Sequence, residues 1–177
     1  MPFPVDKPLV PFTPFHFGPA LLFGLLLFRR LDLPTFLAAN VIVDARATLV
    51  FFDVLDGPLH GPFHAFLGSA VLGALLAGSW YALKPWFDPL LAVFRVEQPR
   101  SGRPIAAAAL LGVWCHVVLD GILYPEMTPF APLAAANPFP GLASYGAVYG
   151  GCVLAGLLGA GLYGLRVGGV AARWDRE

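Results

Sequence analysis

Six side chains that can bind metal ions lie in or beside apolar stretches of this sequence. They are His16, Asp44, His60, His64, His116 and Asp120. His60 and His64 are four residues apart, as are His116 and Asp120, and positions with this spacing share one face of an α-helix. Imidazoles and carboxylates from several helices, with one position left open, form a common catalytic zinc environment. An ion bound there lowers the pKa of its water, which can then attack an ester, amide or phosphoester.

Membrane helices are the elements that must position these groups. The mean hydropathy is +0.72, and 58% of the residues are hydrophobic while 12% are charged, which is the composition of an integral membrane protein. A formal net charge of zero gives no sign of a nucleic-acid partner. The apolar runs predict an all-α, polytopic membrane protein with one domain over 1–177 and about five transmembrane helices. The predicted spans are residues 14–28, 34–52, 60–83, 104–124 and 141–168.

The segments outside these spans carry weaker signals. Residues 84–102 hold an apolar piece that is too short to cross a membrane, and we expect it to lie at the interface. Residues 125–140 are rich in proline and predict a loop that can cover a site. Cys115 and Cys152 each stand alone in an apolar run, which is typical of small core residues. The segment after Met1 has no basic region before an apolar run, so we expect no signal peptide.

The basic residues predict the orientation of the helices. Nine of them fall on one side of the predicted spans: Arg29, Arg30, Lys84, Arg95, Arg100, Arg103, Arg166, Arg173 and Arg176. The positive-inside rule makes this side cytoplasmic. We therefore expect a multi-pass protein of the cell (inner) membrane with its N-terminus outside and its C-terminus in the cytoplasm. The metal-binding side chains would then converge in one outward-facing polar cup, with Asp44 and His116 about 12–13 Å below the helix ends.

The order of these motifs resembles the YdjM-like (DUF457) family of membrane-bound, metal-dependent hydrolases. The resemblance is carried by His16–Pro19 in the first helix, Asp44 in the second, His60–His64 at the third and His116–Asp120 in the fourth. It covers roughly residues 12 to 138 and includes the continuation Tyr124–Pro129. The resemblance implies a divalent metal cofactor and hydrolytic activity.

Three positions depart from the family pattern. Gly61–Phe63 stands between the two histidines where the family usually has Arg-Gly-x-Thr, and Ala65 follows where the family has serine. Arg46 stands where the family has a second acid, two residues after the first. With one acid fewer, six candidate ligands favour one metal ion over two.

We expect His64, His116 and Asp120 to be the core ligands, with Asp44 and His16 next. His60 is a further ligand or the group that handles the leaving-group proton. Arg46 binds a substrate phosphate or pairs with Asp44. The structural alternatives are that His60 caps a helix, that His16 lies at an interface, and that Asp44 and Arg46 form a buried ion pair.

Three function classes fit these groups. The first is a hydrolase for an ester or phosphoester of a membrane lipid or lipid-linked substrate, with zinc or manganese as the metal, because apolar walls favour acyl chains by about 0.8 kcal/mol per buried methylene. The second is a haem-binding subunit with His64 and His116 as axial ligands, although such a site does not need the carboxylates. The third is a carrier for divalent metals or protons, although the cytoplasmic halves of the first, third and fourth predicted helices lack polar residues.

The orientation can be tested with a reporter and a label. A reporter fused after Glu177 should behave as cytoplasmic, and the thiol of an Asp56→Cys variant should react with an impermeant reagent added from outside, because the basic residues stay in the cytoplasm. Reporter activity outside together with a protected thiol would reverse the topology.

Overall fold

The computed structural model describes residues 14–168 and forms only helices and connecting loops over that range. This confirms the all-α prediction. The α-helices are α1 (Pro14–Leu26), α2 (Leu33–Ile42), α3 (Ala45–Phe51), α4 (Phe66–Val93), α5 (Gly102–Leu123) and α6 (Tyr145–Val167). A short 3-10 helix, Pro62–His64, precedes α4.

Four segments within the described range are long and apolar enough to cross a membrane. They are Leu33–Phe51, Phe66–Val93, Gly102–Leu123 and Tyr145–Val167. The first of them consists of α2 and α3. The remaining predicted span, α1, has 13 residues and measures about 20 Å, which is less than the ~30 Å hydrocarbon core. The chain is therefore a polytopic helical membrane protein in which α1 is shorter than a full span.

Two predicted spans differ from the observed helices. The second is interrupted at Val43 and Asp44, between α2 and α3. The third was predicted over 60–83 but begins at Phe66, so His60 and His64 do not share a face of an α-helix. The break lies at Ala65, whose extended backbone (φ −109°, ψ 147°) separates the 3-10 helix from α4. Pro62 is the first residue of the 3-10 helix, a position that proline favours.

The predicted interfacial segment also differs. Helix α4 continues through Pro85 and Pro89 to Val93, so the first ten residues of 84–102 belong to the membrane helix. Lys84, which we had placed in a cytoplasmic loop, is fully buried inside α4. A burial of this kind requires a partner for the ammonium group.

Helix α5 lies at the centre of the bundle, against α2 and α4, while α1 lies between α2 and α6. Glycines allow these helices to approach closely. A Cβ atom built on Gly18 of α1 would come to 2.0 Å from the carbonyl oxygen of Cys152 in α6, and one built on Gly112 of α5 to 2.5 Å from the Cβ of Ala39 in α2. Larger side chains at these positions would separate the helices.

A buried ion pair joins the start of α2 to α4. Lys84 Nζ lies 2.7 Å from Asp32 Oδ2, and the two side chains are at most 1% exposed. The other oxygen of Asp32 accepts hydrogen bonds from the indole of Trp80 and from the backbone N–H and hydroxyl of Thr35. The carboxylate is thus fully paired, which is what a buried charge needs.

Gln98 lies in the loop before α5 and forms hydrogen bonds with the turn between α1 and α2. Its Nε2 donates to the carbonyls of Phe28 and Leu31, and its Oε1 accepts from the N–H of Leu33. The loop after α4 and the turn after α1 therefore lie at the same end of the bundle.

Removing one partner of the buried pair should destabilise the fold. Lys84→Met leaves the Asp32 carboxylate buried without its cation, so we expect the free energy of unfolding in detergent to fall by about 3–5 kcal/mol. Asp32→Asn in the same chain should recover part of this loss, because the unpaired charge is gone. Arg100→Met, an exposed basic residue, should change stability by less than ~0.5 kcal/mol. Equal stability of Lys84→Met and the parent protein would contradict the role of the pair.

Candidate metal centre

Four of the predicted ligands meet in the structure. Asp44, His64, His116 and Asp120 are all buried, and each offers one ligand atom that lies within 4.8 Å of the other three. These atoms come from chain segments that are far apart in sequence. The group could hold a metal ion, and we call these four residues the metal centre.

Local backbone features place each residue of the metal centre. Asp44 lies at the break between α2 and α3, where it is the N-cap residue of α3 and its side chain forms no capping hydrogen bond. His64 ends the 3-10 helix immediately before α4, and this turn packs against Gly68, where an added Cβ would come to 2.0 Å from the Pro62 carbonyl oxygen. His116 and Asp120 lie one turn apart on the buried face of α5, as their spacing predicted.

The ligand atoms of the metal centre are close enough to share one ion. Asp44 Oδ1 lies 3.3 Å from Nε2 of both His64 and His116. Asp120 Oδ2 lies 3.0 Å from Nε2 of His116 and 3.6 Å from Nε2 of His64. Neighbouring ligands at about 2.0–2.2 Å from a zinc ion are separated from one another by about 3.3–3.6 Å. These four carboxylate–imidazole separations are close to such values.

Asn40 determines which nitrogen of His116 faces the metal centre. His116 Nδ1 lies 2.7 Å from the backbone carbonyl oxygen of Asn40. Because a carbonyl only accepts, Nδ1 carries a proton and donates it, so the lone pair of a neutral ring is on Nε2. The sequence analysis did not identify Asn40, and because the contact uses its backbone carbonyl, the residue type gave no signal for it.

The arrangement requires positive charge. In a neutral His116 the Nε2 lone pair would face two carboxylates, which is repulsive in a buried site. A cation between these groups, or a second proton on the imidazole, removes the repulsion. Metal analysis distinguishes the two cases, because only the first retains an ion after purification.

His16 reaches the metal centre from α1. Its ring is 3% exposed and stacks on that of His116, with centroids 4.0 Å apart. His16 Nε2 lies 3.2 Å from Asp120 Oδ1, but neither ring nitrogen of His16 forms an aligned hydrogen bond with any other described residue. His16 therefore contacts the outer oxygen of a centre residue, and its role as a ligand stays a prediction.

His60 lies beside the metal centre in the loop before the 3-10 helix. Its ring centroid is 5.0 Å from that of His64 and 4.2 Å from that of Tyr124, and its Nδ1 is 3.2 Å from Glu126 Oε1. Burial lowers the pKa of His60, and the neighbouring His64 lowers it further. A neutral His60 is thereby favoured. Glu126 was not among the predicted site residues, although it lies in the continuation Tyr124–Pro129 that contributed to the resemblance.

Arg46 is held by the loop that leads to the 3-10 helix. Its guanidinium donates to the carbonyl oxygens of Pro58, at 2.6 Å, and Asp56, at 3.2 Å. This contact fixes the loop against α3. The predicted roles of Arg46 as an anion anchor or as the partner of Asp44 stay predictions.

Metal content should depend on the imidazoles of the metal centre. The purified protein should hold about one divalent ion per chain and show no Soret band, because four ligands at these distances suit a bare ion. His64→Ala and His116→Ala should each lose most of this metal, whereas Asp53→Ala, outside the centre, should keep it. Elemental analysis and an absorption spectrum measure both quantities, and circular dichroism checks that the variants are folded. Undiminished metal in either histidine variant would remove that residue as a ligand.

Three comparisons with known proteins complete the description of the metal centre. No protein-family model, no curated protein and no solved structure matches this chain. A functional proposal therefore depends on the side chains of the metal centre and on the motifs that carry the family resemblance.

Proposed function

We propose that this chain is a membrane-bound, metal-dependent hydrolase that cleaves an ester or phosphoester of a lipid or lipid-linked substrate. The observation that carries the proposal is the convergence of two buried carboxylates and two buried imidazoles within 4.8 Å of one another. The resemblance to the YdjM-like family points in the same direction.

Charge balance favours a divalent ion in the metal centre. Two carboxylates and two neutral imidazoles carry a net charge of −2, and a divalent cation makes the buried group neutral. A neutral group is far less costly than a charged one inside a membrane. Two imidazole nitrogens and two carboxylate oxygens suit zinc, and manganese is the second candidate.

Each residue has a definite task in this proposal. Asp44, His64, His116 and Asp120 hold the ion, and the Asn40 carbonyl keeps Nε2 of His116 turned toward it. When bound, the ion supplies a Lewis acid and an activated water. His60, with its Nδ1–H directed at the Glu126 carboxylate, has Nε2 free to accept a proton from the attacking water and to return it to the leaving oxygen.

The spacing of the two imidazoles is unfavourable for haem. A porphyrin between two axial histidines needs the space that separates their Nε2 atoms. Asp44 Oδ1 is 3.3 Å from Nε2 of both His64 and His116, and Asp120 Oδ2 is within 3.6 Å of both. The carboxylates thus occupy the place of the macrocycle.

A carrier is supported less well than an enzyme. On α5, the buried positions between the metal centre and the opposite end of the helix are Ile105, Ala108, Ala109, Gly112 and Val113. These side chains offer no polar path along the central helix. This apolar stretch of the central helix favours catalysis over transport.

We also propose the orientation that the basic residues predict, with the metal centre near the outer face of the cell membrane. Gln98 joins the loop after α4 to the turn after α1, and Arg166 Nε lies 3.3 Å from the Arg95 carbonyl oxygen. Basic residues that follow three different helices therefore share one end of the bundle, which supports the charge asymmetry. Lys84 does not contribute to this charge asymmetry, because it is buried in an ion pair with Asp32. Lys7, Arg173 and Arg176 lie outside the described residues.

The activity can be assayed with purified protein in liposomes. With added zinc or manganese, we expect turnover of at least one member of a panel of glycerolipids, phospholipids and prenyl phosphates. Asp120→Asn should reduce the rate about 100-fold or more, because it weakens the centre and its charge balance. Asp56→Asn, a loop change of the same type, should keep full activity. Turnover of soluble esters alone, or lipid turnover that persists in Asp120→Asn, would refute this mechanism.

A further inference from the structure

An apolar cavity of about 350 Å³ lies beside the metal centre. It is a cavity between α1, α2 and α5 that is open on one side, where Leu111 of its wall is 43% exposed. The first residue of α4 also contributes to the wall. The residues used below from its lining are Ala20, Phe36, Asn40, Leu111, Cys115 and Leu119. The cavity has the size of a small-molecule site, since such sites start at about 300 Å³.

Two residues of the cavity wall lie close in sequence to residues of the metal centre. Asn40 precedes Asp44 by four residues, and Leu119 immediately precedes Asp120. From Leu119 back to Leu111 the wall covers eight residues of α5, which is about 12 Å along a helix. The cavity therefore begins at the level of the centre and extends away from it toward the middle of the bundle.

A buried polar group marks the junction between the cavity and the metal centre. Asn40 is 0% exposed, and its Nδ2 donates to the Phe36 carbonyl oxygen at 2.9 Å. This bond assigns Oδ1 as the other end of the amide, and Oδ1 has no hydrogen-bond partner within residues 14–168. An unsatisfied buried acceptor calls for a donor. An alkyl chain has none, so the donor for Asn40 Oδ1 is a water or the polar end of a ligand at this end of the cavity.

We propose that this cavity binds one alkyl chain of a lipid, with the polar end of that lipid at the metal centre. The position of the polar end rests on the proposed hydrolase function. A methylene takes up roughly as much space as a water molecule, about 30 Å³, so the cavity holds a chain of about ten to twelve carbons. Its length of about 12 Å agrees with this number.

The cavity discriminates between lipid chains by their length and shape, and it adds little free energy of binding for any chain that leaves the bilayer. Lipid tails are as apolar as the side chains of the wall, so moving a chain from the membrane into the cavity changes its solvation little. Binding strength then depends on the polar end, whereas chain length and branching decide which lipids fit. Substrates with a single accessible chain of intermediate length should be preferred.

Cys115 provides a direct probe, because it lines the cavity and is partly exposed. In a Cys152→Ala background it is the one remaining thiol. We would measure its alkylation by N-ethylmaleimide in zinc-loaded protein, in a sterol-based detergent without alkyl chains. Linear alkyl phosphonates from ethyl to tetradecyl serve as non-hydrolysable ligands.

Protection should grow with chain length and level off near ten to twelve carbons, where the alkylation rate should be at least ten times lower than with the ethyl compound. Leu111→Trp, which narrows the cavity, should abolish this dependence on length. Leu157→Trp, on an exposed face of α6, should leave it unchanged. Chelation of the metal should weaken protection by the long chains if their polar end lies at the centre.

Each outcome has a separate meaning. Equal protection by all chain lengths, or none, would overturn the chain-binding site. Length-dependent protection that Leu111→Trp abolishes would support it even if no lipid is hydrolysed, in which case only the hydrolase proposal falls. Unchanged protection after chelation would overturn the placement of the polar end.

Discussion

The demand for positive charge between Asp44 and Asp120 is the constraint on which this end of the helix bundle depends. Two carboxylates within hydrogen-bonding range of the same imidazoles are strongly unfavourable in a membrane interior without a cation. The break between α2 and α3, the 3-10 helix at Pro62–His64 and the turn of α5 all present their side chains to this one point. A metal ion that neutralises the carboxylates would therefore stabilise the packing of three separate chain segments as well as supply chemistry.

At the other end of the bundle, the buried charges of Asp32 and Lys84 are compensated without a metal ion. Their charges cancel directly, and Trp80 and Thr35 complete the hydrogen bonds of the carboxylate. The two ends thus have opposite characters. At the Asp32–Lys84 end, the buried charges are satisfied by the protein's own side chains. At the metal centre, atoms such as Asp120 Oδ1 have no aligned hydrogen bond within the described residues. Unsatisfied buried polar groups are typical of functional sites, and satisfied ones of structural sites.

Helix α5 connects these features with the apolar cavity. One face carries His116 and Asp120 into the metal centre, and the neighbouring face, with Leu111 and Cys115, lines the cavity. Gly112 allows α2 to approach α5 closely, which brings the Asn40 carbonyl within 2.7 Å of His116. Asn40 then serves the centre with its backbone and the cavity with its side chain. The proposed lipid substrate would use this geometry, with its headgroup at the metal centre and one chain in the adjoining cavity.

The sequence by itself determined the membrane class, the helical fold and the chemical types at the metal centre, because hydropathy and the cost of buried charge are local properties of residues. The spacing of His116 and Asp120 also predicted their shared face. The same spacing was misleading for His60 and His64, since His60 lies in a loop, His64 ends a 3-10 helix, and α4 begins only after the extended backbone of Ala65. Only the tertiary structure revealed the partner of Lys84, the pairing of His60 with Glu126, the anchoring of Arg46 and the role of Asn40. Each of these depends on contacts between segments distant in sequence, and residue type and periodicity carry no information about such contacts.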